Sequence, residues 1–112
     1  MAIRMSKPWS ALTVEAVRAV PGQLGVYQLA DAAEQIVCIG FAGGLSLFGL
    51  RGELQRALAQ RPFAAAHFRY EVNQQYTSRY LELLMLHVAD FGVLPPANRA
   101  APPVRLGRLS PL

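Results

Sequence analysis

Two apolar runs separated by a short polar break constrain this chain more than any other feature. The runs LGVYQLA (24–30) and QIVCIGFA (35–42) carry the β-branched and aromatic residues that favour strands, and the four residues Asp31-Ala32-Ala33-Glu34 join them. The pair reads as an antiparallel β-hairpin. Pairing Ala30 with Gln35 sets Leu29 opposite Ile36, Gln28 opposite Val37 and Tyr27 opposite Cys38, so Tyr27 and Cys38 are expected to be neighbours on one face.

The other elements follow from periodicity. Residues 1–22 form a lead-in with a short helix around Val14–Val20, Thr13 as its N-cap and Pro21-Gly22 as its stop. After the glycine-rich stretch FAGGLSLFGL, the positions Leu50, Leu54, Ala57 and Leu58 recur at helical spacing until Arg61-Pro62 ends the pattern. On that helix Arg51 falls at the border of the apolar stripe and is expected to look inward or along the sheet. Residues 67–72, HFRYEV, alternate as a half-buried strand should. The segment 79–90 is apolar on nearly every side and reads as a largely buried helix, closed by Gly92 and Pro95-Pro96. From residue 99 onward, RAAPPVRLGRLSPL holds three arginines and no acid, and reads as a basic, proline-containing tail.

At 112 residues there is room for one domain and one site. The AVILMFWYC set makes up 53%, and the nine glycines bring the apolar share to about 61%, against roughly 45–50% in ordinary soluble domains. That surplus fits either a generous core or a surface covered by a second copy or a protein partner. Of the 11 basic residues only Lys7 is a lysine, so the net charge of +4 is carried by arginine, the planar phosphate-binding fork. This permits a polyanionic partner without demanding one. Cys38 is the only cysteine, which excludes an intrachain disulfide and a two-cysteine metal site and fits a reducing, cytoplasmic setting. No run of 18 apolar residues and no apolar leader occur, so neither secretion by a signal peptide nor a membrane span is expected.

Glu82 is the residue most in need of explanation. A carboxylate between Met85, Leu86 and Ala89 costs several kcal/mol to bury uncompensated. Either Arg79 pairs with it three residues earlier, or it lies exposed at a gap in the packing, or it serves as a metal ligand or acid–base group. His67 and His87 sit on separate elements without a cysteine or carboxylate at ligand spacing and read as structural or surface residues. Cys38, mid-strand among apolar neighbours, reads as an inert thiol. Gly43-Gly44 lacks the lysine and hydroxyl residue of a phosphate loop.

In their order, these residues resemble the GIY-YIG nuclease superfamily across roughly residues 23–98. Gly25-Val26-Tyr27 matches the first signature tripeptide and Cys38-Ile39-Gly40 lies where the second belongs. Arg51 falls at the position of the family's arginine, Glu82 at its metal-binding glutamate, and Asn98 at its late asparagine. The resemblance implies an α+β domain with a small three-stranded antiparallel sheet flanked by helices, and metal-dependent hydrolysis of DNA phosphodiesters. In that scheme Glu82 holds one Mg²⁺ or Mn²⁺. Arg51 stabilises charge on the phosphate. Tyr27 orients or deprotonates water, which requires a lowered phenol pKa. Gly40 keeps a strand edge clear for close approach and Asn98 is a candidate substrate contact; Arg69 and Arg79 are further candidate contacts, together with Arg51 and the basic tail, where the domain only binds nucleic acid. Three departures stand out: Cys38 replaces the second signature tyrosine, Glu53, Gln55 and Ala57 occupy the stretch where a basic or histidine residue often follows the arginine, and a long glycine-rich segment, Phe41 to Gly49, separates the second strand from Arg51. The alternative is a module of the same fold that has lost hydrolysis and binds nucleic acid or protein, and a third reading is a small dimerising protein.

Overall fold

The structure is a computed structural model that describes residues 3–100. The element order is β1 (Ser10–Ala11), α1 (Val14–Arg18), β2 (Gly25–Ala30), β3 (Ile36–Ala42), α2 (Gly49–Gln60), β4 (His67–Val72), α3 (Tyr76–Phe91) and α4 (Pro96–Ala100), with a tight turn at Pro62–Ala64 before β4. The architecture is α+β, as expected, but the antiparallel sheet has four strands in the order β1-β4-β2-β3. The additional strand, β1, pairs Ser10 with Phe68 and Ala11 with His67. Two residues are too few to leave a periodic signal.

The hairpin forms with a register different from the expected one. Tyr27 lies opposite Gly40, Leu29 opposite Cys38 and Ala30 opposite Ile36. Two local events account for the shift. The Asp31 carboxylate accepts from the amides of Ala33 and Gln35 at 3.0 Å each, and its own amide donates to Gln35 O at 3.0 Å, so the turn closes on Asp31 rather than Ala30. The jump from Ala30/Ile36 to Leu29/Cys38 then leaves Val37 without a partner, a β-bulge. Each event moves the pairing by one residue, and together they return each side chain to the expected face. Tyr27 and Cys38 therefore share a face as diagonal rather than direct neighbours.

Both faces of the sheet are covered. On one, Tyr27, Leu29, Val37 and Phe68 pack against Val17 and Val20 beside α1 and against Leu50, Leu54 and Ala57 of α2. On the other, Val26 and Ile39 meet Leu83 and Leu84 of α3, with Met5 from the N-terminal segment. The apolar spacing of α2 and the Thr13 cap of α1 are as expected, the Thr13 hydroxyl accepting from the Ala16 amide at 3.2 Å. Helix α1 ends at Arg18, and α3 begins three residues before Arg79. Helix α3 is less buried than its composition suggests: only Leu83 and Leu84 are fully covered, while Met85, Val88 and Phe91 are exposed. Gly92 stops α3 with φ +81°, the left-handed geometry that favours glycine. Residues 99 and 100 continue α4 instead of opening the tail, whose remaining residues, 101–112, lie outside the described part.

Candidate functional site

Tyr27 stands at the centre of β2, in the middle strand of the hairpin and β4. Its ring crosses the backbone of Gly40 so closely that a Cβ there would overlap the ring and the phenol oxygen. This gives Gly40 its role: the missing side chain makes room for Tyr27, rather than for an approaching substrate. Burial pushes the Tyr27 phenol well above the ordinary tyrosine range, Cys38 and Glu53 add to the rise, and Arg56 opposes it. A base for water activation needs the opposite shift. Cys38 behaves likewise, its thiol pushed up to about 11 by burial, which makes it a poor nucleophile.

Arg51 projects from the first turn of α2, and its Nε donates to the carbonyl of Val20 at 2.7 Å. It ties α2 to the segment after α1, in keeping with the inward or in-plane direction expected for it. Glu82 lies on α3, the helix covering the opposite face of the sheet from α2 and Tyr27. It pairs with Arg79, the structural partner available from the sequence. Arg79 also grips Glu71 of β4 through Nε at 2.9 Å and Nη2 at 3.1 Å, and donates to Ile3 O, so one guanidinium joins α3, the sheet and the N-terminal segment. Burial would raise the Glu71 carboxyl, but hydrogen bonds from Arg79 and Asn73 together with the Arg79 charge hold it below the usual range.

The implied divalent metal does not fit this arrangement. Glu71 and Glu82 are already compensated by a shared arginine, whose charge would repel a dication. Among the described residues no group of three His, Cys, Asp or Glu side chains is placed to hold a metal.

Asn98 is buried, 7% exposed, and its amide reproduces a strand partner: Oδ1 accepts from Ile39 N–H and Nδ2 donates to Ile39 C=O, both at 2.9 Å. β3 is an edge strand, and Asn98 from α4 satisfies it where no neighbouring strand exists. Arg69, on β4, faces α3. Its Nε donates to Gln28 Oε1 at 2.7 Å, its Nη1 to Lys7 O at 2.9 Å, and its guanidinium stacks 4.0 Å from the Trp9 ring centroid. The sequence reading did not single out Gln28 or place His87 near Arg69, yet all three line one cleft. The available signal was Gln28 itself, a polar residue inside an otherwise apolar central strand, which must find a partner when buried.

Thus the structure sets Glu82 on the face of the sheet opposite Tyr27, while Arg51 lies on the Tyr27 side, bonded to the carbonyl of Val20. His67 accordingly reads as structural, its Nδ1 3.0 Å from Asp31 O. No helix among the described residues is long and apolar enough to cross a membrane.

No curated protein and no solved structure matches the chain. A family profile described as a domain of unknown function, DUF7508, matches residues 3–90. That match spans most of the sequence, and the chain belongs to the DUF7508 family.

Proposed function

We propose that this domain is a GIY-YIG-like binding module without hydrolytic activity, and that its partners are proteins rather than DNA. The observation that carries the reading is the position of Glu82, across the sheet from Tyr27 and neutralised by Arg79. A phosphodiesterase of the implied kind needs that carboxylate, the phenol and Arg51 around one phosphate. The arginine surplus supports the choice of partner. Six of the eight arginines among the described residues are engaged within the fold, at positions 4, 51, 56, 61, 69 and 79, and three of them, Arg4, Arg56 and Arg79, are paired with carboxylates, which reduces the positive charge that the described residues offer to phosphates. Large apolar side chains are exposed instead, Leu45, Leu47 and Phe48 before α2 and Met85 and Phe91 on α3.

The test is a cleavage assay on supercoiled, single-stranded and branched DNA with Mg²⁺, with Mn²⁺ and without metal, the wild type beside Glu82→Ala. The expected result is no metal-dependent product from either protein. Metal-dependent cleavage by the wild type that disappears in Glu82→Ala would overturn the reading and restore a nuclease. DNA affinity is expected to be weak; tight binding that falls steeply with added salt would favour a nucleic-acid module of the same fold.

A further inference from the structure

A cleft of about 210 Å³ opens between the N-terminal segment, the sheet and the C-terminal half of α3. Its walls are Met5, Ile36, Leu83, Leu86 and Phe91, and its polar floor is Gln28 with Arg69. Arg69, like Arg51 and Arg61, bonds only neutral acceptors, and it lines this cleft. The ion pairs among the described residues are Arg4–Asp90, Arg56–Glu53, Arg79–Glu71 and Arg79–Glu82, and Arg69 belongs to none of them. It is half-buried all the same, and its desolvation disfavours the charged form. The nearby Glu34 charge offsets part of that cost, but the direct acceptors of Arg69 are neutral, and an anion entering the cleft would supply a direct counter-charge.

The geometry also prepares the group. Gln28, Lys7 O and the Trp9 ring hold the guanidinium plane, occupying Nε and one Nη1 proton. The Nη2 protons and the second Nη1 proton have no acceptor among the described residues, which leaves the end of the fork for a pair of oxygens. The other cation at the cleft, Arg4, is already taken by Asp90 through bonds of 2.8 and 2.6 Å. The site therefore offers one charge, with a carboxylate at its rim that would repel a dianion. A second hollow, of about 240 Å³, continues from the first by sharing Ile36, His87 and Phe91 and is walled by Val37, Val93 and Leu94. The second hollow also carries Asp31, Gln35 and Arg99, so the apolar walls of the two hollows lie between Arg69 and a second polar group of residues.

We propose that this cleft binds a carboxylate with an extended apolar tail, such as a medium-chain fatty acid, with Arg69 gripping the carboxylate and Phe91 and its neighbours covering the tail. The site lies across the sheet from Tyr27 and is independent of the binding-module reading. Trp9 is the only tryptophan and stacks on Arg69, so its emission reports directly on the site.

The experiment titrates the full chain with octanoate, with octanol as the uncharged counterpart and with inorganic phosphate as the anion without a tail, following Trp9 emission and calorimetric heat. Octanoate is expected to bind saturably while octanol and phosphate do not. Arg69→Gln, which removes the charge, and Leu86→Glu, which adds a negative charge to the wall without touching the Arg69 bonds, are each expected to weaken octanoate at least about tenfold. Should Arg69→Gln fail to fold, Leu86→Glu decides alone. Octanol or phosphate binding as well as octanoate, no saturable octanoate signal, or octanoate affinity unchanged in a folded variant would each overturn the proposal.

Discussion

Replacing Asn98 by alanine separates a structural asparagine from a substrate-binding one. The side chain makes two hydrogen bonds of 2.9 Å to a single edge-strand residue, Ile39, and is buried while doing so. Asn98→Ala leaves both the N–H and the C=O of Ile39 without partners under α4. A buried backbone group left unpaired costs about 1–3 kcal/mol, so the pair predicts a loss of about 3 kcal/mol, allowing for water reaching part of an edge. In urea, with a slope of about 1.5 kcal/mol/M for a domain of this size, the unfolding midpoint falls by about 2 M at constant slope. The Ile39 amide also loses its hydrogen-exchange protection. Asn98→Asp does no better at neutral pH, because a carboxylate oxygen then faces the Ile39 carbonyl. A midpoint shift below roughly 0.5 M, with Ile39 still protected, would refute the argument. Asn98 would then be available for contact with a ligand.

Three further outcomes are expected. Gly40→Ala forces a Cβ into the Tyr27 ring and destabilises by about 2 kcal/mol in thermal or urea unfolding; the same change costs much less in a Tyr27→Leu background, which a double-mutant cycle measures. On the alkaline side, Cys38 at about 11 and the raised Tyr27 phenol are both neutral groups favoured by the fold, so their contribution is complete below pH 9 and is lost as pH rises toward 11 and beyond. Cys38 should accordingly react slowly with a disulfide reagent in the native protein and rapidly in urea, and fast native labelling would contradict its burial. On the acid side, Glu71 is held low, so its stabilisation is present above the ordinary carboxylate range and lost as pH falls through its folded value; Arg79→Met reduces that dependence, leaving the part due to Asn73 and Lys7, and costs about 2 kcal/mol at neutral pH, read from unfolding midpoints across pH.

Strand composition locates the hairpin and β4 because those segments carry both propensity and alternation. The register of the hairpin depends on two features without a periodic trace, the carboxylate of Asp31 organising the turn and the bulge at Val37. Counting residues outward from an assumed pair misses both. Each omission alone would have exchanged the faces of the sheet, and their cancellation is why the neighbours of Tyr27 could be anticipated while its partner could not. The strand β1 is held by two residue pairs to β4, and what secures its approach is non-local: Arg61 donates to Leu12 O at 2.9 Å and Arg69 to Lys7 O at 2.9 Å.

The candidate site was legible as an order of residues and not as a constellation, and α3 shows why. In a helix that is apolar on nearly every side, Leu83 and Leu86 interleave with Arg79, Glu82 and Asp90, so the segment 79–90 says little about which way Glu82 points. Its rotation is fixed from outside, by Leu83 and Leu84 entering the core beside Val26 and Ile39 and by Arg79 reaching Glu71 on the sheet. Once that rotation is set, Glu82 lies beside Arg79 and away from Tyr27, whatever their separation in the chain. The same contacts decide the fate of the positive charge. An arginine that crosses from one element to the carbonyls or carboxylates of another contributes to the fold, as Arg51, Arg61 and Arg79 do, and its guanidinium is partly committed there. Net charge read from composition overstates what a polyanion would meet on such a protein. Arg69, like Arg51 and Arg61, bonds only neutral acceptors, and it lines the cleft, so its charge remains available to a ligand there although two of its nitrogens are already bonded.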